Sequence, residues 1–221
     1  MRRFIKTSRK IDWKYILTEL LLIVVGILLA INLNTWSSNR KLKNQTKLSI
    51  NKISDEIKLN IDELQEVLEI NAELNEFYSQ LNEIKGDEFN KVNCSIEQMS
   101  DLQKQYGAQF TIKDSTKIGN ERYEYELGLA FALEYCELND IAWRTAQLSN
   151  NVNTYEYNCL KNILSVYGFQ DLFVEIQKKF LDYKILSDEA EFIVTFQLCY
   201  KVGVDLLDRY KFLEEEIKEC I

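Results

Sequence analysis

One uninterrupted apolar run limits what this chain can fold into. From Leu20 to Ile31 every residue is apolar except Gly26, which has no side chain. The run extends to Ile16 and Leu33 with only three polar interruptions. At about 1.5 Å of rise per residue, a helix of this length nearly matches a hydrocarbon core about 30 Å thick. We therefore predict a transmembrane helix over residues 15–36.

The residues that flank the run favour insertion into a bilayer. Trp13 and Tyr15 precede it and Trp36 follows it, which is the arrangement of aromatic belts at two membrane interfaces. Two alternatives remain open, a buried helix of a soluble protein and a cleaved signal peptide. The apolar run is long for a signal peptide, and the N-L-N-T-W-S-S that follows has no clear A-x-A-like cleavage site.

Basic residues lie on both sides of the run. Those before it are Arg2, Arg3, Lys6, Arg9, Lys10 and Lys14, and those after it are Arg40, Lys41, Lys43 and Lys47. The excess before the run favours a cytoplasmic N-terminus, because cytoplasmic flanks of membrane helices are enriched in Lys and Arg. We therefore expect the domain that follows the helix to lie outside the cytoplasm.

The composition of the rest of the chain excludes several classes of protein. Residues 1–50 carry ten Lys or Arg and two acids, whereas residues 51–221 carry seventeen Lys or Arg and thirty-three acids. An acidic domain repels nucleic acid, so we expect no nucleic-acid partner. The chain has no histidine, which removes the commonest general base and zinc ligand. We predict no catalytic site, no metal and no cofactor, and so no enzyme.

The apolar pattern after the membrane segment is helical. Two series spaced by three and four residues follow one another: Ile50, Ile53, Ile57, Ile61, Leu64 and Leu68, then Ile70, Leu74, Phe77, Leu81 and Ile84. This pattern predicts one amphipathic helix of about 40 residues. Its apolar stripe would either form a coiled-coil dimer or pack on the chain's own later helices. The acids and amides between the apolar positions, Asn71 among them, would form the polar face.

The remainder is predicted to be helical as well, which makes the fold class all-α. The expected helices run from Ser95 to Tyr106, from Glu121 to Ser149, from a cap-like Asn153–Glu156 pair to Tyr167, from Phe169 to Ile185, and onward from Ser187–Asp188. Residues 107–120 are predicted as a loop that holds a short extended piece. The chain has no proline to interrupt long helices. We expect a basic tail over 1–14, the transmembrane helix over 15–36, an amphipathic stalk helix over 37–85 and an acidic helical bundle over 86–221.

Two sets of residues are candidates for function. On a helix of 100° per residue, Gly26, Ala30 and Asn34 lie at about −20°, +20° and +60° from Glu19, so all four share one stripe. Gly26 and Ala30 form a small-xxx-small pair that lets membrane helices approach closely, which predicts a homo-oligomer. The second set is Trp143 with Arg144, which would either bind an anion or carbonyl ligand or place the indole in the core.

The five cysteines leave the redox compartment open. Cys94, Cys136, Cys159, Cys199 and Cys220 are widely spaced, and their odd number excludes complete pairing within the chain. The apolar helical contexts of Cys136, Cys159 and Cys199 are typical of cysteines that are buried as small hydrophobic residues.

The membrane segment also resembles the N-terminal signature of a family. Residues Glu19, Gly26, Ala30, Asn34, Trp36, Asn39, Arg40 and Lys41 match that signature in Y-I-L-T-E-L-L-L-I-V-V-G-I-L-L-A-I-N-L-N-T-W-S-S-N-R-K. The family is one of single-pass membrane proteins with a domain of unknown function, common in Bacteroidetes-type bacteria. The later A-W-x-T-A from Ala142 to Ala146, with Tyr167 downstream, is similar to a further segment of such proteins. The resemblance implies a single-pass topology in a bacterial envelope, and no reaction. With the orientation that the basic residues favour, we expect an inner-membrane protein whose C-terminal domain lies in the periplasm.

Two functions follow as hypotheses. The first is a non-enzymatic interaction or scaffold protein of the bacterial envelope, with the lipid bilayer and a further protein as partners. The second is a sensor or effector in stress or phage defence that acts by oligomerisation of its transmembrane helix.

Overall fold

The computed structural model describes residues 13–86, 88, 90–130, 133–149, 151–186 and 189–220. The chain divides between Leu48 and Ser49 into two compact units. The predicted boundaries at 36/37 and 85/86 differ from this division. Most of the predicted basic tail, residues 1–12, lies outside the described residues.

The first unit contains the beginning of a long helix. Helix α1 runs from Trp13 to Glu83, and its residues up to Leu48 belong to this unit. The large apolar side chains from Ile16 to Leu33 are exposed, each by 44% or more. Within the described residues, α1 alone contains a stretch long and apolar enough to cross a membrane by its length and composition.

The second unit begins with the remainder of α1, whose apolar stripe, apart from exposed Ile70, packs within the chain itself. The side chains of Ile50, Ile53, Ile57, Leu64 and Phe77 have no exposed surface. Of the two alternatives for this stripe, the structure therefore has the one in which it packs on the chain's own core.

A small sheet follows, and its presence corrects the predicted all-α class. Strands β1 (Lys91–Ser95), β2 (Phe110–Lys117) and β3 (Arg122–Leu129) form an antiparallel sheet in the order β1-β3-β2, with helix α2 (Ile96–Tyr106) between β1 and β2. The prediction of α2 is confirmed, and Ser95 is its N-cap with Gln98 completing a capping box. The predicted extended piece within 107–120 is confirmed as β2.

The predicted helix from Glu121 to Ser149 is wrong. Its first part is β3, in which Tyr125 and Leu127 point into the core while Glu124 and Glu126 alternate with them. This period of two is that of a half-buried strand. Its middle, residues 133–140, has no regular secondary structure, and only its last part is helical, as α3 (Ile141–Leu148).

Two long antiparallel helices complete the unit. Helix α4 runs from Tyr157 to Leu186 and α5 from Glu189 to Glu216, followed by a 3-10 turn over Ile217–Cys220. Gly168 does not interrupt α4, which corrects the predicted break. The predicted cap pair is corrected too, because the Glu156 carboxylate itself accepts hydrogen bonds from the backbone N–H groups of Asn158 and Cys159, at 2.8 and 3.1 Å. The proposed opening of the last helix at 187–188 lies outside the described residues.

The cysteines differ from one another in state. Cys159, at the start of α4, forms a disulfide with Cys220 in the terminal turn, which corrects its interpretation as an unpaired buried residue. Cys94, Cys136 and Cys199 are free and buried. Burial raises the pKa of the Cys136 and Cys199 thiols to about 12, so both stay protonated and weakly nucleophilic at neutral pH.

Candidate functional site: the apolar helix and the buried polar side chains

The four residues of the predicted association stripe lie on the exposed surface of α1. Glu19, Gly26, Ala30 and Asn34 are all exposed, and a Cβ built on Gly26 would meet no atom within 4 Å. Because no described residue covers this glycine, the stripe is open to contact with another helix. The association itself stays a prediction.

Trp143 and Arg144 do not converge on one site. The Trp143 indole is buried in the core and stacks on the Tyr167 ring, with ring centroids 5.6 Å apart and planes 16° from parallel. Arg144 is exposed, and its guanidinium pairs with the Asp140 carboxylate one turn earlier. Of the two alternatives for Trp143, the structure has the one that places its indole in the core.

A buried carboxylate binds the start of α3, the helix that carries Trp143 and Arg144. Glu56, on α1, is 7% exposed and accepts hydrogen bonds from the backbone N–H groups of Ala142 (2.7 Å) and Trp143 (3.4 Å), the first turn of α3. Its other donor is the Tyr167 hydroxyl at 2.6 Å. The negative charge also lies at the positive end of the α3 dipole. Glu56 therefore stabilises α3 both through its hydrogen bonds and through the charge–dipole interaction.

Side-chain amides hold segment 133–140 by its backbone. Asn71 on α1 pairs with Glu134, donating to its carbonyl at 2.9 Å and accepting from its N–H at 3.0 Å. Gln177 on α4 donates to the Cys136 carbonyl at 2.8 Å and accepts from the Cys136 N–H at 3.1 Å. Asn60 on α1 donates to the Asn139 carbonyl and accepts from the Asn139 N–H, both at 2.8 Å. Each amide supplies the donor and the acceptor that a neighbouring strand would otherwise supply.

A hydrogen-bonded chain of side chains supports the amide of Asn60, which has no exposed surface. The Tyr210 hydroxyl donates to Gln170 at 2.7 Å and lies 3.4 Å from the Asn60 amide nitrogen. Gln170 in turn donates to the Asn139 carbonyl at 3.1 Å. Burial raises the pKa of the Tyr210 phenol above its usual value, so this hydroxyl stays a donor at any physiological pH.

The distance between two of the amides along α1 equals the distance between their two partners along an extended chain. Asn60 and Asn71 are eleven positions apart, or about 16–17 Å along a helix that rises about 1.5 Å per residue. Their partners Asn139 and Glu134 are five positions apart, which also spans about 16–17 Å at roughly 3.3 Å per extended residue. Segment 133–140 therefore runs extended and antiparallel to α1.

A small cavity lies beside this segment. It measures about 20 Å³, and most of its lining is apolar, from Leu64, Leu68, Phe173 and Phe196. This volume is enough for one water molecule. The buried side chains of Glu56, Asn60, Asn71 and Gln170 all form hydrogen bonds with the chain's own backbone.

The sequence interpretation missed the residues that build this arrangement. Asn71, which the pattern places on the polar face, is only 7% exposed and is hydrogen bonded to segment 133–140. Glu56 and Asn60 were not singled out. One signal was available for Asn60, which follows Ile57 by three positions and precedes Leu64 by four, and so lies on the apolar stripe.

No protein-family model matches this chain, and neither does any curated protein or any solved structure.

Replacing Asn60 by Leu in a fragment spanning residues 49–221 should lower the free energy of unfolding by about 1–3 kcal/mol, because the Asn139 N–H loses its acceptor. Urea denaturation followed by circular dichroism measures the change. Gln65→Leu is the matched control: Gln65 lies on the same helix, but among the described residues its amide bonds only to exposed Glu69, so its loss should stay within about 0.5 kcal/mol. Equal losses in both variants would contradict a role for the amide pairing.

Proposed function

We propose that this protein is a membrane-anchored, non-enzymatic interaction or scaffold protein of the bacterial envelope. The observation that carries the proposal is the exposed apolar stretch of α1 from Ile16 to Leu33. This stretch of eighteen residues contains thirteen exposed Leu, Ile and Val side chains, which are costly in water and stable in hydrocarbon. The resemblance of this stretch to a family of single-pass bacterial membrane proteins supports the same assignment.

The second unit supports an interaction role rather than a catalytic one. Its buried polar side chains, such as Glu56, Asn60 and Gln170, have their hydrogen bonds to backbone and to one another. Side chains whose hydrogen bonds are made within the chain stabilise the fold of the unit. The exposed surface of the unit still offers large apolar side chains for a partner, such as Leu148 at 87% and Ile141 at 70%.

Capture in the membrane tests the interaction role. The full chain with a photoreactive amino acid in place of Leu148 should cross-link to a defined protein, which mass spectrometry identifies. The matched control places the same amino acid at Lys201, an exposed residue of α5. The proposal predicts a product specific to the first position, and identical or absent products at both positions would contradict it.

The orientation with a cytoplasmic N-terminus and a periplasmic second unit is part of this proposal. The Cys159–Cys220 disulfide supports it, because structural disulfides persist in the periplasm and are rare in the reducing cytoplasm. The excess of basic residues before the apolar stretch points the same way.

Counting free thiols in cells tests this orientation. A maleimide reagent added to denatured, unreduced full-length protein should modify three cysteines, because Cys94, Cys136 and Cys199 are free, and should modify all five only after reduction. A phosphatase fused at the C-terminus should be active. Five reactive thiols before reduction, with an inactive phosphatase, would place the second unit in the cytoplasm.

A second candidate function is that of a sensor or effector which acts through oligomerisation of its membrane helix. The observation that favours it is the open surface at Gly26, which shares one stripe with Glu19, Ala30 and Asn34. A glycine with free space around it lets a second helix approach closely, and a carboxylate near the membrane interface usually finds a polar partner or water.

Substitutions within the stripe test the second candidate. Replacing Gly26 and Ala30 together with Ile should weaken self-association several-fold in a membrane two-hybrid assay, because the added side chains separate the helix backbones. Replacing Leu21 and Leu28 with Ile, off the stripe, should leave the signal unchanged. An equal signal for the two double variants, or none for the unsubstituted chain, would contradict association through this stripe.

A further inference from the structure

We propose that a basic face of α1, directly after the apolar stretch, binds the phosphate groups of anionic phospholipids and so selects the lipids around the anchor. The face consists of Arg40, Lys43 and Lys47, next to Trp36. The inference rests on the proposed membrane anchoring and adds a ligand class and the residues that bind it.

The residues of this basic face lie on one side of the helix. At 100° per residue, Arg40, Lys43 and Lys47 lie at about +40°, −20° and +20° from Trp36. All four side chains are exposed in the structure. A stripe about 60° wide therefore carries an indole and then three cations in succession.

The side chains point toward the position of the lipid headgroups. Side chains on an α-helix tilt toward its N-terminus, which here is the side of the apolar stretch. The Cα atoms of Arg40 and Lys43 lie about 6 and 10 Å beyond that of Trp36, and long basic side chains extend their charges toward an interface. Each headgroup layer is about 5–7 Å thick. Arg40 and Lys43 can therefore reach phosphates, while Lys47, about 16 Å beyond Trp36, acts at longer range.

The Arg40 guanidinium has a defined position at the start of this face. It lies over the Trp36 ring, with its central carbon 5.7 Å from the ring centroid. An indole is favoured at the headgroup level of a bilayer, so this contact keeps the guanidinium at the same depth. A guanidinium binds phosphate through two parallel hydrogen bonds. Ser37 and Asn44 lie on the open surface of the helix beside Arg40 and offer further donors.

The distribution of acids separates this face from the other basic residues. The interval from Leu20 to Ser54 contains no Asp or Glu, in a chain whose residues 51–221 carry an excess of acids. Several lysines of the second unit, in contrast, pair with acids one turn away, as Lys58 does with Asp55 and Lys179 with Glu175. Such pairs are largely neutralised. The basic face keeps a net positive charge, which complements an anionic leaflet. This attraction offsets the repulsion between the anionic leaflet and the acidic second unit.

Lipid capture by the full-length chain tests the proposal. The protein is reconstituted in phosphatidylcholine vesicles that contain a minor amount of photoreactive phosphatidylglycerol, or of photoreactive phosphatidylcholine in a parallel sample. The measured quantity is the ratio of the two labelling yields. The test variant carries Arg40→Gln, Lys43→Gln and Lys47→Gln. The matched control carries Lys161→Gln, Lys178→Gln and Lys201→Gln, three exposed lysines of the second unit.

The proposal predicts a labelling ratio well above one for the unsubstituted chain and for the control. In the test variant the ratio should fall by roughly fivefold for each charge removed near the surface. About 1 M salt should also lower the ratio of the unsubstituted chain, because the Debye length shrinks to about 3 Å. Equal ratios in the test variant and the unsubstituted chain, or an equal fall in the control, would overturn the proposal.

Extraction at alkaline pH separates this proposal from the membrane anchoring on which it rests. All variants should resist extraction from the vesicles, because the apolar stretch is unchanged. If the unsubstituted chain is extracted, the anchoring fails and the lipid selection fails with it. If every variant stays inserted and the labelling ratios are equal, only the lipid selection is refuted.

Discussion

The fold of the second unit depends on how the polar backbone of segment 133–140 is paired. A backbone that is packed against helices and not hydrogen bonded is costly, and a helix has no free backbone groups along its side to offer. Carboxamide side chains solve this problem, because an amide carries one acceptor and two donors at the end of a short stem. Asn60 and Asn71 from α1 and Gln177 from α4 each pair with one residue of the segment. The segment therefore joins two helices without belonging to a sheet.

The same arrangement positions the rest of the core. Where the extended segment ends, Glu56 accepts the first N–H groups of α3, and the indole of Trp143 is thereby placed against Tyr167. The Tyr210 hydroxyl ties α5 to the same cluster through Gln170. Closer packing elsewhere follows from small residues, as at Gly203, where an added Cβ would come within 3.1 Å of Leu68 and Phe173. The polar contacts thus set the register, and apolar burial supplies most of the stabilisation.

Sequence reasoning succeeded where a pattern was local and failed where distant residues decided the conformation. The helix over Ile96–Tyr106 was predictable because Ser95 and Gln98 form its cap within one turn. Strand β3 was predictable in principle, because RYEYELGL alternates polar with apolar residues over Arg122–Leu129, but the helix-like residues that follow obscured its end. Segment 133–140 was not predictable from its own residues. It is extended because amides more than sixty positions away along α1 pair with its backbone.

By itself, the sequence determined the apolar stretch of α1, the amphipathic stripe that follows it and the separation of basic from acidic residues, because hydrophobicity, helical period and charge belong to neighbouring residues. Only the tertiary structure decided that the stripe packs within the chain, that Cys159 pairs with Cys220 and that Trp143 lies in the core with Arg144 outside it. Each of these depends on which distant residues meet. A contact between residues far apart in the chain depends on the packing of the whole unit, which no short window of sequence contains.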